Sequence, residues 1–107
     1  MTLTELVERC FEQAKEKGWV QKDGVPIPEQ IALLHSEVSE AFESWRNKEP
    51  LSWVKDGKPE GLASEYADVV IRIGHYCKAL GIDLEEEVIR KLEYNKTRPY
   101  RHGGKAA

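Results

Sequence analysis

Glu37, Glu40, Glu65 and Asp68 form two carboxylate pairs, each with a spacing of three, in the stretches LLHSEVSEAFESW and EYADVVIR. A helix turns about 100° per residue, so residues three apart stand on adjoining parts of one face. In the first stretch Glu37 borders the apolar stripe and Glu40 lies about 60° beyond it. Glu43 continues the triplet but is turned about 120° away, toward solvent or a partner chain. Glu65 and Asp68 repeat the offset of the first pair. Two neighbouring antiparallel helices carrying such pairs would gather four carboxylates at one rim. Oxygen-only ligands on rigid backbone suit Mg²⁺, with Mn²⁺ as a substitute, whereas Zn²⁺ favours His or Cys. The competing account is a set of ordinary surface acids in a chain that holds 19 of them. The matching offset on two segments favours the metal.

A basic complement follows. Lys91, Asn95 and Arg98 stand at i, i+4 and i+7, one polar line along a helix flank. The ending PYRHGGK adds Arg101, His102 and Lys105 around Gly103 and Gly104, whose backbone N–H groups can approach an anion closely. Residues 1–93 hold all 19 acids and 12 of the 16 cations, a balance of −7, while residues 94–107 hold four cations and no acid. An acidic body repels a duplex backbone, which argues against nucleic acid and for an anionic small molecule beside the acids. Taken alone, the tail reads as a solvated terminus.

Four amphipathic helices must position these groups. Period and punctuation place them at about 2–17, 28–47, 61–80 and 83–97, with a basic tail over 98–107. The first opens on the capping box Thr2-x-x-Glu5 and stops at Gly18; the fourth opens on Asp83, with Glu86 completing a second box. Pro28 suits a first helical turn, and Pro99 stops the last helix. The second helix carries Ile31, Leu34, Val38, Ala41, Phe42 and Trp45 as its core stripe, and the fourth carries Leu84, Val88 and Leu92. The segment between Arg46 and Glu60 reads as a polar loop holding Trp53. No strand-like alternation competes, so the fold expected is all-α, an antiparallel four-helix assembly in one domain of 107 residues. Cys10 and Cys77 lack CxxC or His partners and read as small hydrophobes in a reducing compartment. The N-terminus lacks the pattern of a signal peptide and no apolar run spans a membrane, so a cytoplasmic location is expected.

Together ELVERCFEQAKEKGW, LLHSEVSEAFESWR, EYADVVIRI and GIDLEEEVIRKLEYNKTRPYRHGGK resemble the MazG-like, all-α nucleoside triphosphate pyrophosphohydrolases over nearly the whole chain. The family pattern ExxE, spacer, ExxD falls on Glu37, Glu40, Glu65 and Asp68; its K-x3-N-x2-R pattern falls on Lys91, Asn95 and Arg98. The resemblance implies Mg²⁺-dependent hydrolysis of a (deoxy)nucleoside triphosphate to the monophosphate and pyrophosphate, a nucleotide-pool house-cleaning reaction. It implies that the four acids hold metal and act in catalysis; it does not say which is the base, and Glu40, set off from the core stripe, is the candidate taken from position alone. Lys91, Asn95, Arg98, Arg101, His102 and Lys105 would bind the phosphates. It further implies a homodimer or dimer of dimers that completes the fold; Ile71, opposite the carboxylate flank, hints at a further buried face. Trp19 and Trp53, both in loops, are candidates for stacking on the base, or alternatively cover the ends of the bundle. Arg72 either orients Asp68 or makes a surface ion pair. His75, in line with Asp68, departs from the acid expected there; it reads as a partly exposed polar residue. The alternatives are a non-catalytic helical module that binds nucleotide, metal or protein, and a structural bundle without a ligand.

Overall fold

The structure, a computed structural model, describes residues 1–20 and 24–100. Local chemistry sets the ends of its helices. Helix α1 (Leu3–Glu16) starts on Thr2, whose hydroxyl accepts from the Glu5 N–H while the Glu5 carboxylate accepts from the Thr2 N–H. Both otherwise orphaned donors are thereby satisfied. Helix α2 (Ile27–Arg46) has Pro28 in its first turn, where a missing N–H costs nothing. Helix α3 (Leu62–Leu80) ends on Gly81 in the left-handed conformation, and α4 (Leu84–Lys96) starts on the Asp83 side chain. The Glu86 carboxylate engages Arg90 rather than returning to that cap.

The segment expected to be a polar loop contains a β-hairpin. Strands β1 (Trp53–Lys55) and β2 (Lys58–Glu60) pair antiparallel, with Trp53 opposite Glu60 and Lys55 opposite Lys58. Asp56 and Gly57 make the two-residue turn with φ of 52° and 81°. An Asp-Gly pair at positive φ is the turn that matches the twist of two short strands. The flanking residues are mostly charged, so the alternation that signals a strand is missing. The Trp53 indole N–H donates to Glu49 at 3.1 Å and the residue is half-buried, which makes it part of the hairpin's base.

Gly61 joins the hairpin to α3. Its φ is +98°, and a Cβ there would lie 2.6 Å from the carbonyl oxygens of both Pro50 and Leu51. The Ala63 N–H donates to the Leu51 carbonyl at 2.9 Å, so the loop is tied to the first turn of the helix that carries Glu65. Gly61→Ala is therefore expected to lower stability by about 2–4 kcal/mol, by adding a backbone clash to left-handed strain. Gly57→Ala, with open space around it, should cost only about 1–2 kcal/mol. Urea midpoints of the two variants check the contrast.

Helix α3 is the centre of the molecule, with α1 packed on one side and α2 on the other. Val7, Cys10 and Ala14 of α1 and Gly74 and Tyr76 of α3 are buried. A Cβ on Gly74 would come within 3.1 Å of Cys10 Sγ, so the absence of a side chain is what lets α1 lie this close. Lys78 pairs with Glu8 across the same interface.

Two expectations about the core are corrected. Helix α2 faces α3 with Gln30, Glu37, Ala41 and Ser44. Its apolar stripe lies one residue on, about 100° round the helix. Ile31, Val38, Phe42 and Trp45 are 50–62% exposed, and of that stripe only Ala41 is buried. The small Ala41 and Ser44, with an ion pair from Glu37, allow close approach without the large side chains. Helix α4 buries nothing: Leu84 is half-buried, and Val88, Ile89 and Leu92 are exposed. It touches α1 through Thr4, whose hydroxyl donates to Glu85 at 3.0 Å. The fold is thus mostly helical: three packed helices with a fourth at the edge and a small two-stranded sheet. Among the described residues no helix is long and apolar enough to cross a membrane.

Candidate metal centre and adjoining cavity

Glu37 stands in the middle of α2, and Glu65 and Asp68 in the first two turns of α3. The packing of these two helices brings one carboxylate oxygen of each within 4.8 Å of the others. Glu37 is nearly buried, and its Oε1 accepts from Arg72 Nε at 2.8 Å. The Arg72 Nη1 in turn donates to the Tyr76 hydroxyl at 3.1 Å, so the guanidinium is fixed between two helices. Glu65 Oε2 is buried with no hydrogen-bond partner. An orphaned buried carboxylate oxygen is costly unless a cation satisfies it.

The electrostatics agree with the geometry. Burial, then the Glu40 and Asp68 carboxylates, raise the Glu65 pKa above the usual carboxylate value. Burial and Glu37 raise that of Asp68, against the opposing pull of Arg72 and of Lys58 on β2. Both groups resist becoming anions in this company. A divalent cation would remove the repulsion and fill the gap at Glu65. Three hard oxygen donors fit Mg²⁺ or Mn²⁺.

The quartet expected from spacing is thus a trio with a neighbour. Glu40 is exposed and lies beside Glu65 but outside the group of three. Glu43 turns away, paired with Arg46 at 3.0 Å. Arg72, expected to serve Asp68 or the surface, holds Glu37 instead. It sits four residues after Asp68 and seven after Glu65, a placement legible in the sequence. Lys58 could not be placed without the hairpin.

Beside the trio, α1, α2 and α3 line a half-open cavity of about 580 Å³. Glu37, Asp68 and Arg72 line it, with Trp19, Leu33, His75 and Tyr76 among the apolar and aromatic walls. That volume is the size of a small-molecule site. Trp19 is at the cavity as a base-stacking role requires; Trp53 is not among its lining residues. Ile71, expected opposite the carboxylate flank on a further buried face, is half-buried in the wall of the cavity that Asp68 also lines. Cys10 also lines it, and burial pushes the thiols of Cys10 and Cys77 upward, away from reactive thiolate.

The basic line lies elsewhere. Lys91, Asn95 and Arg98 are exposed, and none borders the cavity. Lys91 instead sits over the Tyr94 ring at 5.5 Å. Within the described residues no hydrogen bond or ion pair joins them to the acids, because α4 packs at the edge of α1 rather than over α2 and α3. Arg101, His102 and Lys105 lie outside the described residues. No family model, curated protein or solved structure matches the chain.

Proposed function

We propose that the protein is a divalent-metal-dependent nucleoside triphosphate pyrophosphohydrolase of the MazG-like kind, releasing pyrophosphate from a nucleotide bound in the α1–α2–α3 cavity. The observation that carries this reading is the buried, partnerless Glu65 oxygen in a trio of carboxylates at the edge of a small-molecule cavity. Glu37, Glu65 and Asp68 would hold Mg²⁺. The bound ion supplies neutralisation of the charge that develops on phosphate oxygens. Arg72 locks Glu37 in its ligand orientation, as partners of a ligating carboxylate do. Glu40, exposed beside the trio, would take a proton from an attacking water. Trp19 offers a ring for the base.

The reading includes a second copy of the chain. The outward stripe of Ile31, Val38, Phe42 and Trp45 runs the length of α2 beside the acid pairs, and a homodimer would bury it. The Lys91, Asn95 and Arg98 line, remote from the acids of its own protomer, is then free to serve phosphates at a shared site. No membrane is involved in this scheme.

A Mg²⁺-dependent pyrophosphate-release assay across common and modified nucleoside triphosphates tests the activity. Release from at least one triphosphate, abolished by EDTA, is the expected result. Folded protein that releases none would sink the assignment; a rise in thermal midpoint with nucleotide and Mg²⁺ would then favour the non-catalytic binding module.

A further inference from the structure

His75 lies seven residues after Asp68, so the two share one face of α3 about 10 Å apart along its axis. Both line the cavity. The imidazole is held by two rings: Tyr76, with centroids 5.1 Å apart, and Phe11 at 6.1 Å. Tyr76 accepts from Arg72, and Arg72 donates to Glu37. The lateral fixing of His75 is therefore continuous with the fixing of the acid trio. Within the described residues neither ring nitrogen has a protein hydrogen-bond partner, and the residue is half-buried rather than solvated. Burial and the positive charge of Arg72 push its pKa below the ordinary histidine value. The imidazole at neutral pH then presents one N–H donor and one lone-pair acceptor.

A half-buried group with one donor and one acceptor, oriented by packing and facing a cavity, is suited to reading a planar heterocycle by its hydrogen-bonding edge. Of the other charged wall groups, Glu37, Asp68 and Arg72 are engaged with one another or with the proposed metal; Glu29, in the first turn of α2, is a carboxylate that can only accept at neutral pH, whereas His75 offers both a donor and an acceptor. The separation along α3 matches the distance between the phosphates of a nucleotide and the far edge of its base. We propose that His75 is the specificity-determining residue of this cavity, hydrogen-bonding the edge of the nucleobase while the phosphates lie at the acid trio. This assignment rests on the nucleotide reading above.

The test compares wild type, His75→Phe and His75→Gln on the same panel of triphosphates with Mg²⁺. Two readouts are used: kcat/KM for pyrophosphate release, and the shift in thermal midpoint on binding each nucleotide. His75→Phe keeps a flat ring between Phe11 and Tyr76 but removes both hydrogen-bonding atoms. The ratio of kcat/KM between the preferred base and the next is expected to fall at least about tenfold, because a site built to pair with polar atoms discriminates through them. The poorest substrates should change little. His75→Gln keeps a donor and an acceptor in a new geometry, so it should retain discrimination but alter the ranking. It also carries the test if the Phe variant fails to fold.

A uniform drop for every base, or an unchanged ranking in both variants, would overturn the assignment and leave the nucleotide reading standing. So would a wild-type enzyme without base preference. Neither pyrophosphate release nor a thermal shift with any nucleotide would overturn the nucleotide reading first, and His75's role with it.

Discussion

Glu65→Gln is expected to make the metal-free protein more stable and, at the same time, to cut pyrophosphate release by at least about a hundredfold. The two effects have one cause. Glu65 Oε2 is buried without a partner, and its carboxylate is crowded by Glu40, Asp68 and Glu37. An amide removes the charge and supplies N–H donors toward those acids. Relieving an unsatisfied buried polar group contributes about 1–3 kcal/mol, so the thermal midpoint in EDTA should rise by about 4 °C or more. The pH dependence has a defined sign. Glu65 and Asp68 have pKa values raised by folding. Their contribution to stability is therefore complete below the unfolded carboxylate value, near 4, and is lost as pH rises through the higher folded values. Wild type in EDTA should lose stability over that interval, and Glu65→Gln should lose less. Mg²⁺ or Mn²⁺ reverses the slope, because ligation needs the ionised carboxylates and strengthens as pH rises. Calorimetric scans of both proteins between pH 4 and 8, with EDTA and with each metal, read all of this. A variant that is no more stable than wild type in EDTA, yet gains as much from Mg²⁺, would falsify the metal centre.

Phe42→Ser with Trp45→Ser is expected to split a dimer into protomers of 12.2 kDa without unfolding them. Both side chains are more than half exposed in the protomer, where they stack on each other at 5.8 Å and the exposed Arg46 guanidinium lies 5.8 Å over the Phe42 ring. Their removal costs the protomer little. A two-fold interface uses the same patch on both copies, so the change is felt four times. Burying each aromatic contributes about 1.5–3 kcal/mol, and the combined loss of about 6 kcal/mol or more weakens association by about 10⁴-fold. Light scattering over a dilution series should show wild type at twice the protomer mass and the variant at the protomer mass, with unchanged helical circular dichroism. If the Lys91, Asn95 and Arg98 line serves a shared site, activity falls with dissociation. Wild type that stays at 12.2 kDa at high concentration removes the dimer from the scheme.

Both expectations turn on where sequence reading succeeded and where it stopped. The helix ends were legible because they are written locally: Thr2 and Glu5 reciprocate, Pro28 occupies a first turn, and Gly81 takes the left-handed stop. The closeness of Glu37, Glu65 and Asp68 was legible because equal offsets on two helices bring the same flank together. The burial of α2 was not. An apolar stripe says that a face must be covered, but not whether α3 or another chain covers it. Here a small-residue face with a single ion pair, Glu37 to Arg72, took the contact with α3. The hairpin escaped notice for a different reason. Its Asp56-Gly57 turn was visible, yet Lys55, Lys58 and Glu60 gave no alternation to mark the strands beside it. The cavity is a product of three helices at once; of its lining residues the sequence marked Glu37 and Asp68 as metal ligands and Trp19 as a base contact, and it gave no sign that Leu33, Ile71 and Tyr76 would stand beside them.

Helix α4, finally, is held more by its own sequence than by the molecule, to which the Thr4–Glu85 hydrogen bond and the half-buried Leu84 tie only its first turn. The Asp83 cap and the pairs of Arg90 with Glu86 and Glu87, and of Lys96 with Glu93, are local and exposed. Thirteen residues with such support are marginal for a helix standing alone. Its amides should therefore exchange with deuterium ahead of those in α1, α2 and α3, as a separate cooperative unit with a small opening free energy. The cations at 91 and 98 ride on that unit. Whatever eventually orders them, a second chain or a phosphate, must supply the protection that the protomer does not.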